Sequence, residues 1–258
     1  MAGLAPAATS NFIEADFPIM NTPDSDENTL LYVIGDIHGR LDLLEPLIDA
    51  IHHDAGSRGA GSLTVTVGDY IDRGPDSRAV IDRLMANPFP GRYVALKGNH
   101  EAAMLSFLDD PETGEIWWRN GAAATLRSFG VPVSDSYGPS DFVRAQQALL
   151  AALTPEEVRF LTSLRPALSV DPYFICHAGV RPGVPLERQR EQDLFWIREE
   201  FLNSGMDFGR IVVHGHTPVR APEVMPNRIN VDTGVIVCGC LTCVVLENGG
   251  HRFLTSSS

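Results

Sequence analysis

Five short polar blocks stand directly behind apolar runs, and their side chains are of the kinds that bind divalent metals. They are Gly35-Asp36-Ile37-His38-Gly39, Gly68-Asp69-Tyr70-Ile71-Asp72-Arg73-Gly74, Gly98-Asn99-His100-Glu101, Cys176-His177-Ala178-Gly179 and His214-Gly215-His216-Thr217. Carboxylate, imidazole and amide donors brought to one place suit a pair of divalent ions. Such a pair polarises water for hydrolysis. One Asp-x-His behind an apolar run arises by chance in many chains. Five blocks in the same context are a stronger signal.

The blocks need elements that bring them together. The runs at 30–34, 63–67, 93–96, 173–175 and 211–213 read as buried strands. Strands that end this way gather their polar residues at one sheet edge, where ligands bind in open α/β sheets. Leu41, Leu44, Leu47, Ile48 and Ile51 keep helical spacing between Arg40 and His53. A second helix is expected over 77–86, stopped by Asn87-Pro88, and a third from about Glu101. Strand, block and helix three times over imply a βαβαβ core with parallel strands. Residues 112–165 read as a helical, cap-like segment, with a helix start at Thr154-Pro155-Glu156-Glu157. The C-terminal third alternates turns with short β runs at 228–231, 235–237 and 241–246. Residues 1–28 read as a flexible tail and 29–255 as a single domain.

Composition narrows the function classes. The chain has 258 residues, enough for one domain with a sizeable core. Its net charge of −13 disfavours nucleic acid, whose phosphates call for a basic surface, and an anionic membrane as well. No apolar stretch approaches the roughly 18–20 residues of a membrane helix. No basic region followed by an apolar run marks a leader. Cys176, Cys238, Cys240 and Cys243 lack zinc-ribbon spacing and read as small apolar core residues. Free thiols fit a cytoplasmic location.

The first three blocks read as GDxHG, GDxxDRG and GNHE. In this the chain resembles the calcineurin-like metallophosphoesterases, and among them the phosphoprotein phosphatases of the bacterial and bacteriophage lambda type. The resemblance runs from about Leu30 to about Leu246. It implies an α/β fold, a mixed central β-sandwich flanked by helices. It also implies two divalent ions, with manganese expected and iron or zinc as alternatives. Asp36, His38 and Asp69 would hold one ion, and Asp69, Asn99, His177 and His216 the other. Asp69, in the middle block, is the expected bridge. His216 carries the Gly-His of the last block. Pro218 takes the place of a further histidine found in many metallophosphoesterases, and His214 is expected to pack nearby.

Water shared by two such ions loses a proton near neutral pH, its pKa falling from about 15.7 toward about 7. The resulting metal-bridged hydroxide is expected to attack phosphorus in line. His100 directly follows Asn99 and points into the same site, so it is the expected general acid, with Asp72 to orient and charge it. The alternative is that Asp72 only supports Arg73. Arg73 offers a planar fork to phosphate oxygens. The resemblance adds Arg198 as a second such group, and Asn99 completes the expected phosphate-binding set. Glu101 is expected to stabilise a helix N-terminus.

The expected substrate is a phosphorylated protein or peptide, cleaved at phosphoserine or phosphothreonine, with phosphotyrosine as a further candidate. The alternatives are a symmetrical diadenosine tetraphosphatase and a general small-molecule phosphoesterase. The symmetrical type resembles GDLVARG, GNHD and GHW. This chain differs from it at Asp72, Glu101 and Thr217. A non-catalytic metal-stabilised interaction module would need a broken site, and every matched position is intact.

Overall fold

The computed structural model describes residues 29–58, 61–133 and 139–257, so the expected tail lies outside the described residues. Strands β1 (Leu30–Ile34), β2 (Ser62–Thr66) and β3 (Arg92–Ala95) alternate with helices α1 (Leu41–Arg58), α2 (Ser77–Met85) and α3 (Asn99–Asp109). Helices α4 (Gly114–Arg119), α5 (Ala122–Ser128), α6 (Pro139–Ala152) and α7 (Pro155–Ser163) follow. Thr154 and Glu157 form a reciprocal capping box at the start of α7. The chain then returns to strands with β4 (Ala167–Val170) and β5 (Tyr173–Cys176). Short helices α8 (Glu191–Trp196) and α9 (Glu199–Leu202) precede β6 (Ile211–His214), β7 (Glu223–Met225) and β8 (Arg228–Asn230). A single turn, α10 (Val235–Cys238), leads into the closing hairpin of β9 (Cys240–Glu247) and β10 (Gly250–Ser257).

The strands form two mixed sheets, ordered β10-β9-β1-β2-β3 and β4-β5-β6-β8-β7. In the first, β1, β2 and β3 are parallel, as the repeated strand, block and helix pattern predicts. The alternation along β1 explains the layering. Leu31 and Val33 face the second sheet and meet Leu168, Ile175, Val213 and Ile229. Leu30, Tyr32 and Ile34 face the other way, into a cluster with Leu44 and Leu47 of α1, Val80 of α2 and Phe107 of α3. That cluster also takes in Trp117, Leu126, Phe142 and Leu161 from the 112–165 segment. A third cluster joins Phe174 and Val212 to Leu194, Phe195 and Phe201 on the outer face of the second sheet. β1, β4 and β5 bury every residue, as strands covered on both faces do, and their runs are correspondingly rich in apolar side chains.

Two expectations need correction. Residues 235–237 form a helical turn, not a β run. The β-branched sequence suggested a strand, but Gly234 and Gly239 take left-handed φ values of 72° and 60° at either end. Val237 and Cys238 donate back to the Gly234 carbonyl, closing the turn. The core reading of the cysteines holds for Cys176 and Cys243. Cys238 on this turn is exposed and Cys240 is half-buried.

Candidate metal centre

The parallel strands of both sheets point their carboxyl ends at one place. The loop after β1 carries Asp36 and His38, and the loop after β2 carries Asp69, Asp72 and Arg73. Asn99 and His100 open α3. From the second sheet, the ends of β5 and β6 bring His177 and His216. The loops meet backbone to backbone. A side chain at Gly98 would strike Asp69, and one at Gly215 would strike the Asp36 carboxylate. His38, Asp69, Asp72, Arg73 and His216 all have positive φ, between 46° and 72°. Non-glycine residues rarely adopt this conformation, and it costs about 1–3 kcal/mol each. Among the described residues only Asn87 and Asn248 share it outside the blocks.

The imidazoles sort by what lies behind them. His38 Nδ1 is 2.8 Å from the Ile71 carbonyl and His177 Nδ1 is 3.1 Å from the Val67 carbonyl. A carbonyl only accepts, so each Nδ1 carries the proton and each Nε2 keeps a lone pair. The His177 Nε2 lone pair stands 2.9 Å from Asn99 Oδ1, 3.1 Å from His216 Nδ1 and 3.4 Å from Asp69 Oδ1. That of His38 stands 3.6 Å from Asp69 Oδ2. Asp69 is thus shared between two buried groups, His38-Asp69-His100 and Asp69-His177-His216, each with its donor atoms within 4.8 Å of one another. Asp36 belongs to neither group by that distance. It is buried beside them, and both its oxygens accept from the His216 N–H at 3.2 Å.

His100 differs. Its Nδ1 lies 2.6 Å from Asp72 Oδ2, a carboxylate rather than a carbonyl. Asp72 is fully buried and also accepts from Trp117 Nε1 at 2.9 Å and from the Thr125 hydroxyl. Burial pushes the Asp72 carboxyl up to about 7, against the pull of those two donors. Burial and the Arg73 charge hold His100 down to about 3. Arg73 lies across the mouth, 3.0 Å from both His38 Nε2 and His100 Nε2. Arg198 is exposed and donates to the Thr217 hydroxyl at 3.1 Å.

The donor set fits two divalent cations. Burial raises the carboxyls of Asp36 and Asp69, and each is raised further by a neighbouring acid, Asp232 and Glu101 respectively. His38 and His177 are lowered, again by burial first. Lone pairs and carboxylates packed together this way call for cations between them. His216 Nε2 is buried with no partner among the described residues.

Some functional contacts were beyond the sequence. Trp117 and Thr125 lie 45 and 53 residues from Asp72, and nothing in their own segments points to it. Glu101 does more than cap a helix. Its carboxylate accepts from the N–H groups of Gly98, Asp69 and Tyr70, so it ties the second and third blocks together. His214 is buried against Phe201, with Nδ1 3.0 Å from the Gly215 carbonyl, and belongs to neither donor group.

A family model described as calcineurin-like phosphoesterase matches residues 29–239, and the chain belongs to that family. It is a metallophosphoesterase. Serine/threonine-protein phosphatase 1 of Salmonella typhimurium is 28% identical over 222 residues, covering 84% of this chain and 92% of that protein. The asymmetrical bis(5'-nucleosyl)-tetraphosphatase PrpE of Halalkalibacterium halodurans is 25% identical over 232 residues, covering 82% and 88%. A solved structure provisionally described as a diadenosine tetraphosphatase superposes with a TM-score of 0.64, covering 93% of this chain and 99% of its own, at 22% identity. That likeness supports the mixed two-sheet fold alone. No helix among the described residues is long and apolar enough to cross a membrane.

Proposed function

We propose that this chain is a serine/threonine protein phosphatase that hydrolyses phosphomonoesters with two divalent ions, manganese first among the candidates. The observation that carries the catalytic part is the His100-Asp72 pair standing beside Asp69. When bound, the ions supply activated water and neutralise charge on the phosphoryl group. Asp36, His38, Asp69, Asn99, His177 and His216 hold them. Arg73 and Arg198 take phosphoryl oxygens. Drawing Arg73 toward a phosphate removes its charge from His100, which favours the imidazolium. Asp72 then holds the Nδ1 proton, and Nε2 gives its proton to the leaving alkoxide.

The arginines within the matched motifs suit a single phosphoryl group. Arg40 and Arg181 follow the first and fourth blocks but are already bound to acids, Arg40 to Asp42 and Arg181 to Asp193 and Glu200. Arg73 and Arg198 are the two that the resemblance assigns to substrate, and neither forms an ion pair among the described residues. A dinucleoside tetraphosphate carries several negative charges along its chain and calls for more. The dinucleotide reading keeps support of its own, since several relatives carry that name. They are of the asymmetrical type. Asp72, Glu101 and Thr217 separate this chain from the symmetrical type only.

The test is phosphate release by metal-stripped protein with Mn²⁺ restored, on a phosphothreonine peptide and diadenosine tetraphosphate side by side. Mn-dependent release from the peptide alone is expected. Cleavage of the dinucleotide alone overturns the substrate assignment and leaves the metal centre standing. A cytoplasmic site of action belongs to the same proposal.

A further inference from the structure

Asp232 enters the site from the second sheet, just beyond β8, and no role has yet fallen to it. It is 3% exposed. Every part of it but one is fixed. Its N–H donates to Asn230 Oδ1 at 3.0 Å, and its carbonyl accepts from the Val219 N–H at 2.9 Å. Its Oδ1 accepts from the Gly234 N–H at 2.9 Å. Oδ2 has no hydrogen-bond donor among the described residues. Asn230 is fully buried and also donates to the Thr217 carbonyl at 2.8 Å, so it ties the Asp232 turn to the His216 loop. Against the first sheet, the peptide joining Val231 to Asp232 packs so closely on Gly35 that a Cβ there would strike it. Asp232 is therefore held beside Asp36.

The two ion positions are unequal in protein donors. By the assignment the resemblance implies, one is offered Asp69, Asn99, His177 and His216, and the other Asp36, His38 and Asp69, with Asp36 buried beside its donor group. We infer that Asp232 is a positioning residue for the poorer position: its free carboxylate oxygen accepts a hydrogen bond from water on the ion held by Asp36 and His38. The field agrees with this placement. Asp232 raises the Asp36 carboxyl, and the charges of Arg73 and Arg198 reach Asp232 itself. Partners of this kind, one bond removed from the ion, change metal affinity by about 10–100-fold when removed. The inference rests on the metal centre proposed above and is independent of the substrate.

The test is Mn²⁺ titration of metal-stripped full-length protein by calorimetry and electron paramagnetic resonance, comparing wild type with Asp232→Asn. Asparagine keeps the oxygen that accepts from Gly234 and puts an N–H donor where the free oxygen stood, so charge and acceptor are lost together. Asp232→Ser is carried alongside in case the first variant folds poorly. Wild type is expected to take two ions and show the spectrum of a coupled manganese pair. The variants are expected to keep one affinity and weaken the other about 10–100-fold, showing uncoupled manganese at the same concentration. Two unchanged affinities, or equal weakening of both, overturn the role of Asp232 alone. Wild type that binds no pair overturns it together with the metal centre.

Discussion

His38 and His100 are the same side chain in nearly the same place. Their rings meet edge to face at 4.7 Å, both Nε2 atoms lie 3.6 Å from Asp69 Oδ2, and Arg73 reaches both at 3.0 Å. Distance to the Asp69 carboxylate does not tell them apart. What differs is the partner behind each ring. A backbone carbonyl behind His38 fixes a neutral imidazole with its lone pair forward, the form a metal needs. The Asp72 carboxylate behind His100 can support a positive ring, the form a proton donor needs. On the proposed assignment, role in this site is set by the second contact of each imidazole, which for His38, His100 and His177 comes from the segment between β2 and α2.

The predictions probe that difference. The largest effect belongs to the residue both histidines share. Asp69→Asn is expected to lose both ions and nearly all turnover, checked by metal content and phosphate release; full activity in this variant removes the bridging assignment. Next is His100→Asn. Turnover on an alkyl phosphoester is expected to fall about 10²–10⁴-fold, with a much smaller loss on p-nitrophenyl phosphate, whose leaving group needs little protonation. Equal losses on the two substrates count against proton donation. Trp117→Phe removes one of the donors that hold Asp72. About a tenfold loss in turnover is expected, equivalent to about 1.4 kcal/mol, with metal content unchanged; a lost ion instead gives Trp117 a different role. The smallest effect is expected at His214, which belongs to neither donor group and packs on Phe201. His214→Phe is expected to keep both ions and cost less than about 1.5 kcal/mol in a denaturant titration.

The same contrast explains what was legible in the sequence. The first three blocks each sit between a strand and a helix, so the βαβαβ pattern and the positions of Asp36, His38, Asp69, Asn99 and His100 could be read locally. His177 and His216 were also legible, since each follows its own apolar strand. Asp72 was visible as a candidate, but its holders were not. Trp117 and Thr125 come from helices that reach it through tertiary packing, which no local spacing records. The Val235–Cys238 turn was misread because paired glycines outweighed β-branched propensity. Asp232 stood in a recognisable Val-Asp-Thr-Gly segment, yet only the packing of the second sheet against Gly35 places it beside Asp36.

The central claim is that the group behind the ring decides which histidine binds metal. The direct measurement is the number of Mn²⁺ ions retained by His38→Asn, His177→Asn and His100→Asn after identical loading and desalting. Two ions in the His100 variant, and fewer than two in each of the others, is the predicted result. An ion lost from the His100 variant, or a full pair kept by either of the others, contradicts the account.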